Sequence, residues 1–182
     1  VHALQNAVVA LDIEIGRALI ESGVDYIFYG ADMECPLLIS PSHYREFVHE
    51  PTSKVVNTLS GLGARVLPHM CGDIVNPGIV DMLLEMDIHG IMPGNLTQDT
   101  VLDVRELKAK VGDRTCIFGN INPNGRLLIG KPAEVARETL LHLESVGGMS
   151  GYIFSTSGTT SPATPRENFE AMNREVLNFK WS

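Results

Sequence analysis

The sequence predicts an α/β protein built on a parallel sheet. Two observations carry this. Short apolar runs alternate with longer segments whose apolar residues recur every three or four positions, the mark of strands alternating with helices. The alternation also repeats about every 30 residues, the length of one β/α unit. No internal linker interrupts it, so residues 1–182 are expected to form one domain.

Residues 4 to 22 read as a helix, with Leu4, Val8, Leu11, Ile15 and Leu19 on one face and Gly23 as its stop. Residues 25 to 29 are the first strand. Ser40-Pro41 opens the next helix, because Ser caps and Pro fits the first helical position. Tyr44, Phe47, Val55, Leu59 and Leu62 give that helix its apolar side, and Pro51 is expected to kink or break it. Arg65-Val66-Leu67 is the second strand. A helix over 77–86, a strand over 88–92, a helix over 100–111 and a strand over 115–118 follow. Pro132 opens a further helix with Ala136, Leu140 and Leu143 inward, ended by Gly147-Gly148. Tyr152-Ile153-Phe154 is the fifth strand, and Thr164-Pro165-Arg166-Glu167 reads as a capping box opening the last helix. Five strands, each followed by a helix, fit either an open doubly wound sheet or part of a (β/α)8 barrel, which typically takes about 250 residues.

Composition narrows the function. The 182 residues are 44% hydrophobic, enough for a core, and carry a net charge of −8. That balance argues against a nucleic-acid surface, which needs a basic stripe, and favours a small-molecule enzyme. No apolar run approaches the ~20 residues of a membrane span, and no charged-then-apolar leader opens the chain. Three cysteines do not make a disulfide framework, so a cytoplasmic setting is expected. The first residue is Val1, not Met, which suggests a piece of a longer protein.

Chemistry concentrates in the loops after the strands, where parallel β/α folds keep their active sites. Pro68-His69-Met70-Cys71-Gly72-Asp73 follows the second strand. His69 and Cys71, two apart on an extended segment, point to the same side, so an imidazole and a thiolate could share a zinc ion. The plain alternative is a buried cysteine acting as a small hydrophobe beside a hydrogen-bonded histidine. Further ligands would come from Asp32-Met33-Glu34-Cys35 after the first strand. Alternatively, Asp32 and Glu34 are solvated loop acids and Cys35 packs behind Pro36. Asp73 is a candidate to orient His69 or a substrate. Cys116 reads as core, and His2, His43, His49, His89 and His142 receive no role. Gly119-Asn120 offers a close backbone approach with both a donor and an acceptor. Ser155 to Thr160, with Ser155, Ser157 and Thr159 as candidate ligand contacts, is rich in hydroxyls and N–H groups that could hold an anion. It lacks the Lys and spacing of a P-loop.

Several of these segments together resemble the uroporphyrinogen decarboxylase superfamily. Ala31-Asp32 through Ile39-Ser40-Pro41 to Phe47-Val48 resembles its strand, loop and helix start. Pro68-His69-Met70-Cys71-Gly72 resembles the H-x-C-G of its corrinoid-dependent methyltransferase branch, of the methylcobamide:coenzyme M type. Phe118 to Pro123, then Leu127-Leu128 and Pro132 to Val135, resembles its G-N-x-D-P stretch and following helix. Thr164 to Asn168 resembles its final T-P-x-E-N helix start.

The resemblance implies a (β/α)8 TIM barrel of which this chain supplies the last five β/α units. The first three strands would then be absent through truncation, or supplied by another chain. It also implies zinc held by His69 and Cys71, activating a thiol such as coenzyme M that takes a methyl group from a methylated corrinoid. The expected partners are therefore a small-molecule thiol or tetrapyrrole ligand and a corrinoid protein, with a homo-oligomer left open.

Two positions depart from the family pattern. The cysteine near the last strand falls on Ser157-Gly158, and the Asp of G-N-x-D-P is Asn122. Either Glu34 or Cys35 completes the ligand set, the metal is held differently, or the site is degenerate. The alternatives to methyl transfer are a tetrapyrrole decarboxylase and a noncatalytic corrinoid-binding module. The decarboxylase would want cationic groups for its carboxylates, yet Arg126 and Lys131 lie past the pocket turn.

Overall fold

Five parallel strands lie side by side in chain order in this computed structural model, which describes residues 1–76, 78–95 and 102–181, with the backbone alone at Asp32. Helix α1 (His2–Glu21) leads into β1 (Tyr26–Gly30) and a 3-10 turn at Asp32–Glu34. A short α2 (Pro41–His43), a π-helical stretch (Tyr44–Val48) and α3 (His49–Gly61) follow, then β2 (Arg65–Cys71) and α4 (Ile79–Leu83). The chain continues through β3 (Gly90–Gly94), α5 (Val104–Val111) and β4 (Cys116–Phe118). It ends with α6 (Arg126–Ile129), α7 (Pro132–Val146), β5 (Tyr152–Ile153) and α8 (Arg166–Asn178).

The strand order decides the architecture. A doubly wound sheet reverses direction at its middle, whereas a barrel adds each strand beside the last. Here every strand pairs in parallel with its predecessor, Gly30 opposite His69, Cys71 opposite Gly94 and Gly90 opposite Cys116. The arrangement is therefore the barrel alternative, as a run of five consecutive units.

Successive side chains on β2 alternate between the two faces of the sheet. Val66 and Met70 are fully buried under the helices. Leu67, His69 and Cys71 face the concave side, where a side chain at Gly90 would meet Leu67 and Phe118.

Several helix expectations need correction. The helix after β3 covers Val104–Val111, and its expected start at 100 lies outside the described residues. Pro51 does not break its helix. It sits in the first turn of α3, directly after the π-helical stretch. The carbonyl of Phe47, which a normal residue at 51 would engage, accepts a hydrogen bond from Gln5 Nε2 of α1 instead. The predicted capping box at Thr164 does not form. Helix α8 starts at Arg166 without a side-chain cap, and Thr164 Oγ1 is buried without a partner. In α7 the inward residues are Val135, Thr139, Leu143 and Val146, while Leu140 is exposed.

The largest departure concerns α1. Leu4, Val8, Leu11, Ile15 and Leu19, the apolar face read from the sequence, are all exposed. The packed side instead carries Val9 and Gly16, and a Cβ at Gly16 would come within 2.4 Å of Leu59. Tyr26 and Phe28 on β1 are exposed as well. No described helix is long and apolar enough to cross a membrane.

The last helix is tied down by one amide. Asn168 is fully buried, and its Nδ2 donates to the carbonyls of Leu127 and Gly130 at 3.0 and 2.9 Å. This explains the Asn of the T-P-x-E-N pattern in structural terms. Asn168→Ala leaves both carbonyls without that donor and is expected to lower stability by about 2 kcal/mol, read from the urea unfolding midpoint.

Candidate functional site

Helix α3 feeds β2 through a glycine turn, and β2 carries His69 and Cys71 to its C-terminal end. There the two side chains converge, with Cys71 Sγ 4.0 Å from His69 Nε2. Both residues are about 5% exposed. His69 Nδ1 lies 2.8 Å from the Met92 carbonyl on β3. A carbonyl only accepts, so Nδ1 carries the proton and the lone pair sits on Nε2, the nitrogen facing the sulfur. The ring also packs on Phe28 of β1, with centroids 5.1 Å apart.

Space for this pair depends on a missing side chain. A Cβ at Gly94 would stand 2.4 Å from Cys71 Sγ and 2.8 Å from His69 Cε1. Gly94 is therefore required by close approach. The chain leaving β5 closes the site from the other side, since a Cβ at Gly158 would lie 3.9 Å from both Cε1 and Nε2 of His69. Position 158, where the family pattern expects a cysteine, thus does border the histidine, but without a thiolate.

The other candidates separate into those the fold brings in and those it does not. Ser157 enters: it is almost wholly buried, and its Oγ accepts from Asn95 Nδ2 at 2.8 Å. Ser155 Oγ donates to the Thr156 carbonyl, so it is used locally, and Thr159 is exposed. Gly119 and Asn120 lie beside the 155–157 segment, which runs parallel to them through Ile121 N to Ser155 O and Ser157 N to Ile121 O. Asn120 Nδ2 reaches the Leu102 carbonyl at 3.5 Å. Asn122 Oδ1 accepts from Asn124 N at 2.9 Å in a turn, a task an Asp performs equally.

Glu34 and Cys35 do not join His69 and Cys71. Among the described residues, no three His, Cys, Asp or Glu side chains gather closely enough to hold a metal ion. Glu34 lies in the field of Asp12, Tyr29 and Tyr44. Tyr29 alternates with Phe28 on β1, so that group sits on the helix side of the sheet, away from His69. Burial, then the Asp12 charge, pushes the Glu34 carboxyl above its usual range. Cys35 is wholly buried in the apolar core, folded inward by a turn in which Leu38 N and Ile39 N bond its carbonyl. The side chain of Asp32 lies outside the described residues.

Asp73 is also corrected: it does not orient His69, whose ring proton goes to Met92. Its carboxylate caps a local turn, accepting from Val75 N, Asn76 N and Asn76 Nδ2. Burial pushes its pKa up, but these bonds outweigh it and hold the carboxyl below the usual range.

Two groups were missed. Asn95 carries the same Gly-Asn signal after a strand that singled out Gly119-Asn120, at Gly94-Asn95. His142, assigned no role, supports the neighbouring loop. Its Nε2 lies 2.6 Å from Tyr152 Oη, which donates to the Gly119 carbonyl. That chain of contacts fixes Gly119 from beneath. A buried imidazole on a helix gives no such signal in sequence.

The donor chemistry fits a zinc ion in part: one imidazole nitrogen and one sulfur lie 4.0 Å apart beside Gly94, where an added Cβ would collide with both side chains. The pair at the C-terminal end of β2, in a run of consecutive parallel β/α units, places the molecule in the (β/α)-barrel class. The family description "Uroporphyrinogen decarboxylase (URO-D)" matches residues 1–179, and the chain belongs to that family. Relatives include a uroporphyrinogen decarboxylase of Coxiella burnetii, 26% identical over 98% of this chain and 47% of its own length. A methylcobamide:CoM methyltransferase MtaA of Methanosarcina barkeri is 28% identical over 88% of this chain and 43% of its own. The chain thus spans about half the length of the curated relatives it matches. A methyltransferase structure from Methanosarcina mazei superposes with a TM-score of 0.74 at 24% identity, covering 92% of this chain and 46% of that one, which shows the shared fold.

Two outcomes are expected. Gly94→Ala forces its methyl into Cys71 and His69 and should cost about 2 kcal/mol, visible in chemical denaturation. For His142, burial lowers the pKa below its ordinary value, against the smaller opposing pull of the Gly119 carbonyl. The unfolded chain then takes up the proton first. Stability is complete above the unfolded value near ~6.5 and falls as pH drops through it toward the folded value. Thermal midpoints should decline over that acid range, and His142→Gln should flatten the decline.

Proposed function

We propose that this chain carries the metal-binding and methyl-accepting half of a zinc-dependent methyltransferase, moving a methyl group between a methylated corrinoid and a thiol or related acceptor. The observation that supports it is the meeting of His69 Nε2 and Cys71 Sγ at the barrel mouth, 4.0 Å apart, with the histidine tautomer set by Met92. His69 and Cys71 would hold the ion. Zinc bound there lowers the pKa of an incoming thiol and keeps it nucleophilic at neutral pH.

The residues around the pair have their own tasks. Gly94 and Gly158 leave room for the ion and the acceptor. Phe28 and the buried strand ends shield one side of the imidazole from water. Asn120, on the loop that Tyr152 and His142 brace, would contact the acceptor's polar end.

The decarboxylase alternative is less well supported. It wants cations to hold several carboxylates, yet Arg126 is engaged by Glu134 at 3.4 Å and Glu138 at 3.5 Å.

The test is demethylation of methylcobalamin by a small thiol, followed by the cobalamin spectrum. Turnover should depend on added zinc and fall by at least about 100-fold in Cys71→Ala. Zinc-independent loss of a carboxylate from a porphyrinogen, with no methyl transfer, would overturn the proposal.

A further inference from the structure

The geometry points to Asn95 as the third donor to the ion held by His69 and Cys71, its carboxamide oxygen standing where the family pattern has a thiolate. This rests on the metal reading proposed above.

Four observations converge on it. First, Asn95 is only 7% exposed, and its Oδ1 is buried with no hydrogen-bond partner. A buried carbonyl oxygen left unpaired costs about 1–3 kcal/mol, so in a native site it ordinarily meets a ligand. Second, the Nδ2 of the same amide donates to Ser157 Oγ at 2.8 Å, which leaves Oδ1 as the end turned away from Ser157.

Third, the location is triangulated. Asn95 directly follows Gly94, whose Cβ position lies 2.4 Å from Cys71 Sγ and 3.2 Å from His69 Nε2. The next Cα is only ~3.8 Å further along, within reach of an asparagine side chain. Its tether Ser157 directly precedes Gly158, whose Cβ position lies 3.9 Å from His69 Nε2. The amide is therefore attached next to Gly94 and bonded next to Gly158, the two glycines at which an added Cβ would approach the imidazole. Fourth, Asn95 follows β3 and Ser157 follows β5. A bond between alternate strands runs across the concave face, as the interior layers of a barrel do.

Among the described residues the donor set becomes nitrogen, sulfur and oxygen, and substrate would supply the fourth donor. Zinc takes imidazole nitrogen, thiolate sulfur and carboxylate oxygen, and the amide oxygen of Asn95 would serve as a neutral counterpart of the last. With one thiolate and a neutral amide, the ion keeps one more unit of positive charge than with two thiolates. Ser157 acts through Asn95 as a positioning residue.

Zinc competition against a chromophoric chelator, with cobalt(II) spectra of the same proteins, tests this. The 182-residue chain should bind one ion. Asn95→Ala should weaken zinc binding by at least about tenfold and shift the cobalt ligand-field bands, while the sulfur charge-transfer band persists. Asn95→Asp, which keeps the shape and supplies a carboxylate oxygen, should bind as tightly or more tightly. Cys71→Ala should abolish both binding and the charge-transfer band. If Cys71→Ala loses the ion but Asn95→Ala binds within twofold of the parent with an unchanged spectrum, Asn95 is not a donor and the metal reading stands. An Asn95→Asp protein that binds more than tenfold more weakly also overturns the assignment, and this variant decides alone if Asn95→Ala does not fold. No ion bound by the parent chain overturns both.

Discussion

The hydrogen bond between His69 Nδ1 and the Met92 carbonyl is the contact on which the site depends. It exists because β2 and β3 run parallel in a register that sets His69 beside Met92 and Cys71 beside Gly94. That register turns the imidazole edge-on to the sulfur and settles which nitrogen carries the proton. A slip of one residue would send both side chains to the helix layer. The fold thus specifies the chemistry through strand pairing, with a backbone carbonyl accepting from the histidine.

Much of the fold was legible because it rests on periodicity. The five strands and most helix starts follow from apolar spacing and from Ser40-Pro41 and Pro132. What was not legible rests on long-range contacts. Pro51 is accommodated because Gln5, 42 residues away in sequence, takes the stranded carbonyl of Phe47. Nothing near Pro51 announces that. Thr164 looked like a cap because Glu167 follows at the right interval, yet helix α8 begins two residues later, at Arg166.

The site divides along the same line. His69 and Cys71 were readable because alternation on one strand puts them on one face, and both lie in one hexapeptide. Glu34 and Cys35 were misplaced because a loop's direction is not written in its composition. The 3-10 turn at Asp32–Glu34 sends one side chain toward Asp12 and buries the other. Asn95 went unnoticed because its importance comes from Ser157, 62 residues later. Asp73 looked catalytic by proximity, but three local donors already occupy it.

The ridge of Leu4, Val8, Leu11, Ile15 and Leu19 on α1, together with Tyr26 and Phe28 on the edge strand β1, sets how the molecule behaves among its own kind. Water penalises so much exposed hydrocarbon, and an edge strand offers ready hydrogen bonds to any extended segment that drifts past. The countervailing force is the net charge of −8, whose repulsion keeps molecules apart only while the salt is dilute. Colloidal stability in this chain is therefore a contest between greasy surface and ionic strength, and concentrated brine favours clumping.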